Sequence, residues 1–227
     1  MSDLFDNLDQ RRAIIDRRDL AARLDAIGIE SRDSAARRRA MVALLKAALD
    51  DGRTEIERRL LERPSSGRVA ANATAFLIDQ IIRLSHDFTI GYLYPSANRS
   101  AGERITLIAV GGYGRGEMAP HSDIDIGFLT PFKQTSWTEQ VIEAQLYTLW
   151  DLGLKVGHSS RSLDEMVRAA RDDLTIRTAL LEGRFIWGDR DLYDQASARF
   201  DAEVVAGNAR AFVAEKLAER DERHKRM

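Results

Sequence analysis

The first third of the chain carries apolar residues at helical spacing. Leu20, Leu24 and Ile27 recur at intervals that predict one helix before Gly28. A second apolar stripe stops at Asp50-Asp51-Gly52, and Thr54 to Glu57 then has the form of a capping box, so the pattern predicts that a new helix starts there. The members of this second stripe are Met41, Leu44, Leu45, Ala48 and Leu49.

A longer helix is predicted after the break at Arg63-Pro64-Ser65-Ser66-Gly67. Apolar residues return at helical intervals from Val69 to Tyr92, and the helix is expected to end near Tyr94-Pro95 because the residue before a proline disfavours helical backbone. We expect this helix to pack on the domain that follows it. Its apolar positions are Phe76, Leu77, Ile81, Leu84 and Phe88.

After a polar linker over residues 96–104, the pattern becomes a mixture of strands and helices. Ser162 to Glu165 is a second capping box, which predicts the start of a short helix. This order predicts an α/β (α+β) fold in which helices cover a small mixed sheet. The predicted strands are 105–110, 123–129, 154–160 and 184–187, and the main predicted helices are 137–150 and 174–181.

A glycine cluster directly follows the first of these strands. Val110-Gly111-Gly112-Tyr113-Gly114-Arg115-Gly116 has small residues whose backbone amides can close around an anionic group such as a phosphate. Alone, such a cluster is more often an ordinary turn. Here Ser122-Asp123-Ile124-Asp125 follows it, and the combination favours a phosphate site.

Asp123 and Asp125 are separated by one residue at the start of the second predicted strand. Because strand side chains alternate, both carboxylates are expected on one face while Ile124 and Ile126 enter the core. Two carboxylates roughly 7 Å apart along a strand can converge on hard divalent cations. We also expect the aspartates to lie among apolar residues, where an unpaired charge is costly and a bound metal ion would remove that cost.

The glycine pair and the Asp-x-Asp motif together resemble the signature of the nucleotidyltransferase superfamily, which implies a polymerase-β-like fold. Three segments narrow the resemblance to the amino-terminal part of the bacterial protein-PII uridylyltransferase family: Gly111 to Glu117, Leu149 to Ser159 and Asp173 to Glu182. The resemblance is strong over about residues 105–225.

We accordingly expect an added helical N-terminal region (1–95), a nucleotidyltransferase domain (96–190) and a helical segment (191–227). The last helical pattern has no capping glycine, which predicts that the chain is a fragment of a larger regulator.

The resemblance implies transfer of UMP from UTP to a tyrosine hydroxyl of the PII nitrogen-signalling protein, with Asp123 and Asp125 as catalytic residues and ligands of Mg²⁺. The candidate phosphate contacts are the amides of Gly111 and Gly112, the Ser122 hydroxyl and Arg115. Arg115 could equally form a structural ion pair with Glu117.

The general base is less well defined. Tyrosine has a pKa of about 10, so such an acceptor needs either metal coordination or a base. Many members of the superfamily carry a third carboxylate on a neighbouring strand, whereas Leu154 to Ser160 contains none. His158 on that strand is a candidate base or substrate contact, with a structural histidine as the more frequent alternative. Asp172 and Asp173 are more distant candidates, and both can instead cap the helix that starts at Leu174.

The composition limits the partners. The formal net charge is −2, from 34 basic and 36 acidic residues, so a nucleic acid is not expected as the main partner. The chain has no cysteine, which suits a reducing compartment, and neither a membrane span nor a signal peptide is predicted. We therefore expect a cytoplasmic protein.

Other functions stay open on the sequence. Adenylylation of glutamine synthetase is a close rival, separable by comparing UTP with ATP as donor. A nucleotide-sensing module without turnover is a different class, which the missing third carboxylate keeps open. A nucleic-acid-directed transferase is disfavoured by the charge.

Overall fold

A computed structural model describes residues 4–30, 32–96 and 100–225, so residues 97–99 of the predicted linker and the first three residues of the acidic start lie outside the described residues. The strands are β1 (Thr106–Ala109), β2 (Ile124–Thr130), β3 (Val156–Ser162) and β4 (Arg184–Gly188). The helices of the described residues are α1 (Arg11–Ile14), α2 (Arg17–Glu30), α3 (Ser34–Glu62), α4 (Gly67–Phe88), α5 (Gly111–Gly114), α6 (Ser136–Asp151), α7 (Leu163–Asp172), α8 (Leu174–Leu181), α9 (Arg190–Phe200) and α10 (Ala209–Lys225).

Helix α3 is one continuous helix, so the predicted stop at Gly52 and the predicted start at Thr54 are both wrong. A methyl group on Gly52 would lie 2.7 Å from Leu77 Cδ1 and 2.8 Å from the Ile14 carbonyl oxygen, so this glycine serves close packing rather than a helix end. The Thr54 hydroxyl donates to the Asp50 carbonyl at 3.0 Å, a bond that threonine makes within helices.

Helix α4 forms the centre of the helical region, and the break predicted between residues 63 and 67 is confirmed. It continues into a single wide turn over Thr89–Leu93 and ends before Pro95, as predicted. More than half of its 22 residues are buried, because it packs against α2, α3 and α6 and against β4. The expected contact with the sheet domain is therefore confirmed.

The four strands form one mixed sheet in the order β3-β2-β1-β4. β1 pairs antiparallel with both β2 and β4, and β2 pairs parallel with β3. The predicted small mixed sheet is confirmed, with strand ends shifted by no more than two residues at any predicted boundary.

Alternation along the strands gives the sheet two different faces. On the first face, Ile126 and Phe128 join the core formed with α4 and α6. On the second face, Ile108 and Leu129 join a smaller core with α7 and α9. Asp125 has the same strand parity as Leu129 and therefore lies on the second face.

The ends of the helices on the second face follow the sequence closely. Ser162 and Glu165 form the predicted capping box at the start of α7. The Asp173 carboxylate accepts from the amides of Thr175 and Ile176 and caps α8, as predicted, whereas Asp172 is the last residue of α7. No helix in the described part of the chain combines the length and the apolar character that crossing a bilayer would require.

Candidate functional site

A pocket of about 400 Å³ opens on the second face of the sheet, between the strands and α8. Gly111 and Asp125 line one part of it, and Arg161, Thr175 and Ile176 line another. The register explains this arrangement, because Gly157 pairs with Asp125 and Arg161 pairs with Leu129, four residues further along both strands. The pocket therefore extends along β2 and β3 away from the aspartate.

The glycine turn closes one end of the pocket. Gly111 has a φ of +60°, a conformation that side chains disfavour, and it opens the one-turn helix α5. The Val110 amide donates to the Asp125 carbonyl at 3.1 Å, and a methyl group on Gly111 would lie 3.5 Å from Asp125 Oδ2. The first amides of a helix have no acceptor inside it, so this turn presents donors beside the Asp125 carboxylate.

A buried polar network fixes the same turn from below. The Tyr113 hydroxyl donates to Asp79 Oδ1 at 2.7 Å, and the Arg184 guanidinium donates to both Asp79 oxygens at 2.6 and 3.0 Å. Arg184 also donates to the carbonyls of Tyr113 and Gly114. Burial, and next the Asp79 charge, raises the pKa of Tyr113 well above its usual value, so the phenol stays protonated and acts as a donor. The network ties the turn to α4 and β4.

Helix α4 holds the far end of the glycine segment as well. The buried Asn72 amide donates to the Gly116 carbonyl at 2.7 Å, and the Met118 amide donates to the Ala71 carbonyl at 3.4 Å. The N-terminal helical region is thus part of the scaffold of this site.

Asp123 immediately precedes β2, Asp125 is the second residue of that strand, and both are exposed. The expectation that apolar residues surround them is wrong, because Asp125 lines the pocket, Asp123 is exposed to solvent, and only Ile124 and Ile126 enter the core. Partial burial, and next the charge of Asp123, raises the pKa of Asp125 above its usual value. The two carboxylates therefore interact, and a divalent cation would relieve their repulsion.

The carboxylate oxygens of Asp123 and Asp125 are of the ligand type that magnesium prefers. Magnesium prefers oxygen ligands, and it usually takes one or two carboxylates together with phosphate oxygens and water. Among the described residues, His, Cys, Asp and Glu side chains form no group of three or more that could hold a metal ion. Asp123 and Asp125 could thus supply two ligands, and the rest would come from the substrate and water.

Gly157 lies opposite Asp125 on the neighbouring strand. A methyl group there would overlap Asp125 Oδ1, so the glycine makes room for the carboxylate. Any third carboxylate at this strand position would face Asp125 directly, and this chain has a glycine instead. Gly157 lies in the segment Leu149 to Ser159, which contributes to the family resemblance, but its role depends on the strand register.

His158 lies on the other face of the sheet from Asp125. It pairs with Ile126, and its ring contacts the ring of Trp150 on α6 at a centroid distance of 6.2 Å. His158 is exposed and is among the residues that line the pocket, but the parity of β3 directs its imidazole to the face of Ile126 and Trp150 and away from Asp125.

The structure places the other two candidates at the border of the site. Arg115 is exposed and forms ion pairs with Glu117 at 3.1 Å and Glu182 at 2.6 Å. The bond with Glu117 and, next in importance, the bond with Glu182 raise the pKa of Arg115 above its usual value. Ser122 is half-buried immediately before the aspartates, and its amide donates to the Ala119 carbonyl at 3.1 Å. Arg115 is thus already engaged by carboxylates, and Ser122 is close in sequence to the metal candidates.

Several pocket residues were not predicted. Ser159 and Arg161 follow Gly157 at alternate positions of β3, and Thr175 and Ile176 extend from the start of α8. The alternation of Gly157, Ser159 and Arg161 was a usable signal, because these residues must share the face that Asp125 occupies. Helix α8 lies in the segment Asp173 to Glu182, which contributes to the family resemblance, but its position in the pocket depends on how the helix packs.

Comparison with known proteins gives a consistent result. Residues 96–183 match the family model described as a nucleotidyltransferase domain. The chain is also similar, over nearly all of its length, to proteins named bifunctional uridylyltransferase/uridylyl-removing enzyme.

In Novosphingobium aromaticivorans the identity is 63% over 99% of this chain and 24% of the relative. In Erythrobacter litoralis it is 58% over 96% of this chain and 24% of the relative, and in Rhodospirillum rubrum it is 54% over 96% and 23%. The chain thus spans about a quarter of the length of these relatives.

Proposed function

The chain belongs to the nucleotidyltransferase family, in the group named uridylyltransferase/uridylyl-removing enzymes, and we propose that it transfers UMP from UTP to a hydroxyl group of a protein. The observation that carries this proposal is the contact between the glycine turn and Asp125 at one end of an open pocket. Donors for phosphate and a carboxylate pair for a cation are the two groups that phosphoryl chemistry requires.

In the proposed reaction, the acceptor oxygen attacks the α-phosphorus of the nucleotide and pyrophosphate leaves. The amides of Gly111 and Gly112 and the hydroxyl of Ser122 would donate to phosphate oxygens, and the rigid turn would fix their direction before the substrate arrives. Asp123 and Asp125 would hold Mg²⁺. When bound there, the ion would neutralise charge on the phosphates and orient them.

We assign Arg115 a smaller role in phosphate binding than the sequence analysis suggested. Its guanidinium is shared between Glu117 and Glu182, so contact with a phosphate would need at least one of these pairs to open. We therefore assign phosphate binding mainly to backbone amides, which are already free to donate.

The acceptor we propose is a tyrosine of the PII signalling protein, which would connect the chain to nitrogen regulation in the cytoplasm. This part rests on the family resemblance. A tyrosine hydroxyl of pKa about 10 has to lose its proton during attack, and since Asp125 would hold the cation, that proton would pass to solvent in the open pocket. Asp125 is the one carboxylate among the described pocket-lining residues, so the contribution of the chain is chiefly to orient the reactants.

The test is nucleotide transfer with matched donors. The 227-residue chain would be incubated with Mg²⁺, UTP or ATP, and either the PII protein or glutamine synthetase, and any modified residue would be located by mass spectrometry. Uridylylated tyrosine on PII is the expected product. Adenylylated glutamine synthetase would instead support the rival transferase.

One observation favours a second candidate function, a nucleotide-sensing module without turnover. Gly157 takes the position opposite Asp125 where a third carboxylate would complete a two-metal site. Magnesium-dependent UTP binding, with no transfer to any acceptor, would support this alternative.

A further inference from the structure

We propose that Arg161 reads the nucleobase of the donor, at the part of the pocket remote from Asp125, and selects a base that presents carbonyl oxygens. This inference rests on the proposed function, because it assumes that the phosphates lie at the glycine turn. It assigns the choice of uracil to a residue of this chain.

The position of Arg161 follows from the register of β2 and β3. Gly157, Ser159 and Arg161 alternate on the pocket face, and their partners on β2 are Asp125, Gly127 and Leu129. Four residues of strand separate Gly157 from Arg161, roughly 13 Å at about 3.3 Å per residue. A group that contacts Arg161 is thus well separated from one that contacts Asp125.

The guanidinium of Arg161 is available. Among the described residues it forms no ion pair and no hydrogen bond, although it is half-buried at the pocket wall. The Glu165 and Asp173 carboxylates interact with it electrostatically, but each of them accepts hydrogen bonds from other groups. Glu165 accepts from the amide and hydroxyl of Ser162, and Asp173 caps α8. An arginine left unpaired in a pocket has its five donors free for a ligand.

The surroundings of Arg161 fit a flat base better than a phosphate. Leu129, Ile176 and Ala179 supply apolar walls, and the Ile108 side chain covers Gly127 and adds to them. Such walls favour the faces of an aromatic ring, and hydrophobic pockets with a few polar groups are typical of sites that orient a ligand. Phosphates would find their donors and their cation at the opposite end, beside Gly111 and Asp125.

The chemistry of the donors indicates which base fits. Arginine can only donate, so it pairs with a carbonyl edge and has no partner in an exocyclic amino group. Uracil presents two carbonyl oxygens with an N–H between them, whereas the acceptors of adenine are single ring nitrogens and its amino group can only donate. The hydroxyl of Ser159 on the same face can accept from the uracil N–H.

The test is binding with Mg²⁺ by isothermal titration, using UTP, CTP, ATP and inorganic tripolyphosphate as ligands. The variants are Arg161→Met, which removes the donors, and Arg161→Lys, which keeps the charge and loses the planar fork. Arg168→Met is the matched control, because Arg168 is an exposed residue on α7 outside the pocket. Thermal melting checks that each variant is folded.

We expect wild type and Arg168→Met to prefer UTP over ATP, and Arg161→Met to weaken UTP binding about tenfold or more while tripolyphosphate binding stays unchanged. Arg161→Lys should lose most of the preference. Equal loss of UTP and tripolyphosphate binding would overturn the proposal, because Arg161 would then contact phosphate.

Unchanged UTP binding by folded Arg161→Met would overturn it too. Wild type that binds all nucleotides equally, yet still transfers UMP, would overturn the base assignment and leave the proposed function standing. Selective UTP binding that is lost in Arg161→Met, without any transfer, would support the base assignment and contradict the proposed function.

Discussion

The phenolic hydroxyl of Tyr113 donates to the Asp79 carboxylate at 2.7 Å, and this bond joins the glycine turn to the helical N-terminal region. Asp79 is fully buried and also pairs with Arg184 of β4 at 2.6 Å. Three elements far apart in sequence therefore meet at one carboxylate directly beneath the candidate phosphate site. The turn is held by this network as well as by its own backbone.

The Asp79 network should be strongly coupled. Asp79→Leu leaves the largely buried Arg184 without its counter-ion, and we expect a loss of about 3 to 5 kcal/mol in the free energy of unfolding. The double variant Asp79→Leu/Arg184→Met removes both charges and should recover much of that loss. Tyr113→Phe removes one hydrogen bond and leaves a carboxylate oxygen partly satisfied, at a cost of about 1 to 3 kcal/mol.

Urea denaturation measures the change in the free energy of unfolding for these three variants and for the single variant Arg184→Met, which completes the double-mutant cycle. A double variant whose loss equals or exceeds the sum of the two single losses would contradict the coupling.

The second prediction concerns Asp125 as a ligand of the cation. Asp125→Asn keeps the shape of the side chain and removes one charge, so we expect transition-state stabilisation to fall by about 2 to 4 kcal/mol and turnover to fall at least tens-fold. Stability without Mg²⁺ should stay the same or rise, because the repulsion between Asp123 and Asp125 is relieved.

Thermal melting with and without Mg²⁺ and UTP, alongside nucleotide transfer, measures both effects. Asp51→Asn is the control, since Asp51 is an exposed carboxylate on α3. An Asp125→Asn variant that melts normally and transfers nucleotide at the parent rate would exclude Asp125 as a metal ligand.

The third prediction uses Gly157. In Gly157→Ala the added methyl group would overlap Asp125 Oδ1, so the carboxylate has to turn away from its position facing the pocket. We expect a folded protein whose Mg²⁺-dependent binding of UTP falls about tenfold or more, because a displaced ligand loses much of its contribution.

Gly67→Ala is the matched glycine control, because an added methyl group meets nothing within 4 Å there. Titration of each variant with UTP at fixed Mg²⁺ gives the comparison. Equal affinities in Gly157→Ala and wild type would mean that the position of Asp125 does not matter for binding.

The fourth prediction concerns pH and the pair between Arg104 and Asp189. Arg104 donates to both Asp189 oxygens at 2.5 and 2.7 Å, and this contact is the main cause that lowers the pKa of Asp189 below its usual value. A lowered folded-state pKa means that the pair stabilises the protein above the unfolded pKa of about 3.9 and that this stability is lost as the pH falls through the lower folded pKa.

Asp189→Asn keeps an acceptor for the Leu192 amide at the start of α9 and removes the charge. At pH 6 it should cost about 1 to 3 kcal/mol, and the difference from wild type should shrink as the pH falls below about 4. Asp194→Asn removes the exposed pair with Arg190 and should change stability by less than about 1 kcal/mol. Urea denaturation at pH 6, 4 and 3 provides the check, and a difference that grows at low pH would contradict the assigned sign.

Capping boxes show why local patterns were only partly reliable. The box at Ser162 marks a helix start, because β3 ends there and the amides of the first turn of α7 need acceptors. The similar pattern at Thr54 lies inside α3, where the amides are already bonded along the helix and Gly52 packs against Leu77. The sequence contains both patterns, and packing by distant residues decides between them.

The strands, most of the helices, the glycine turn and the aspartate pair can be predicted from the amino-acid sequence, because they depend on periodicity and on short-range backbone chemistry. The set of residues that share the pocket depends on how distant elements pack. The parallel register of β2 with β3 puts Gly157 and Arg161 on the face of Asp125 and puts His158 on the other face against Trp150. The burial of Asp79 beneath Tyr113 likewise depends on tertiary packing, because residues so distant in the chain come into contact only when their elements pack together.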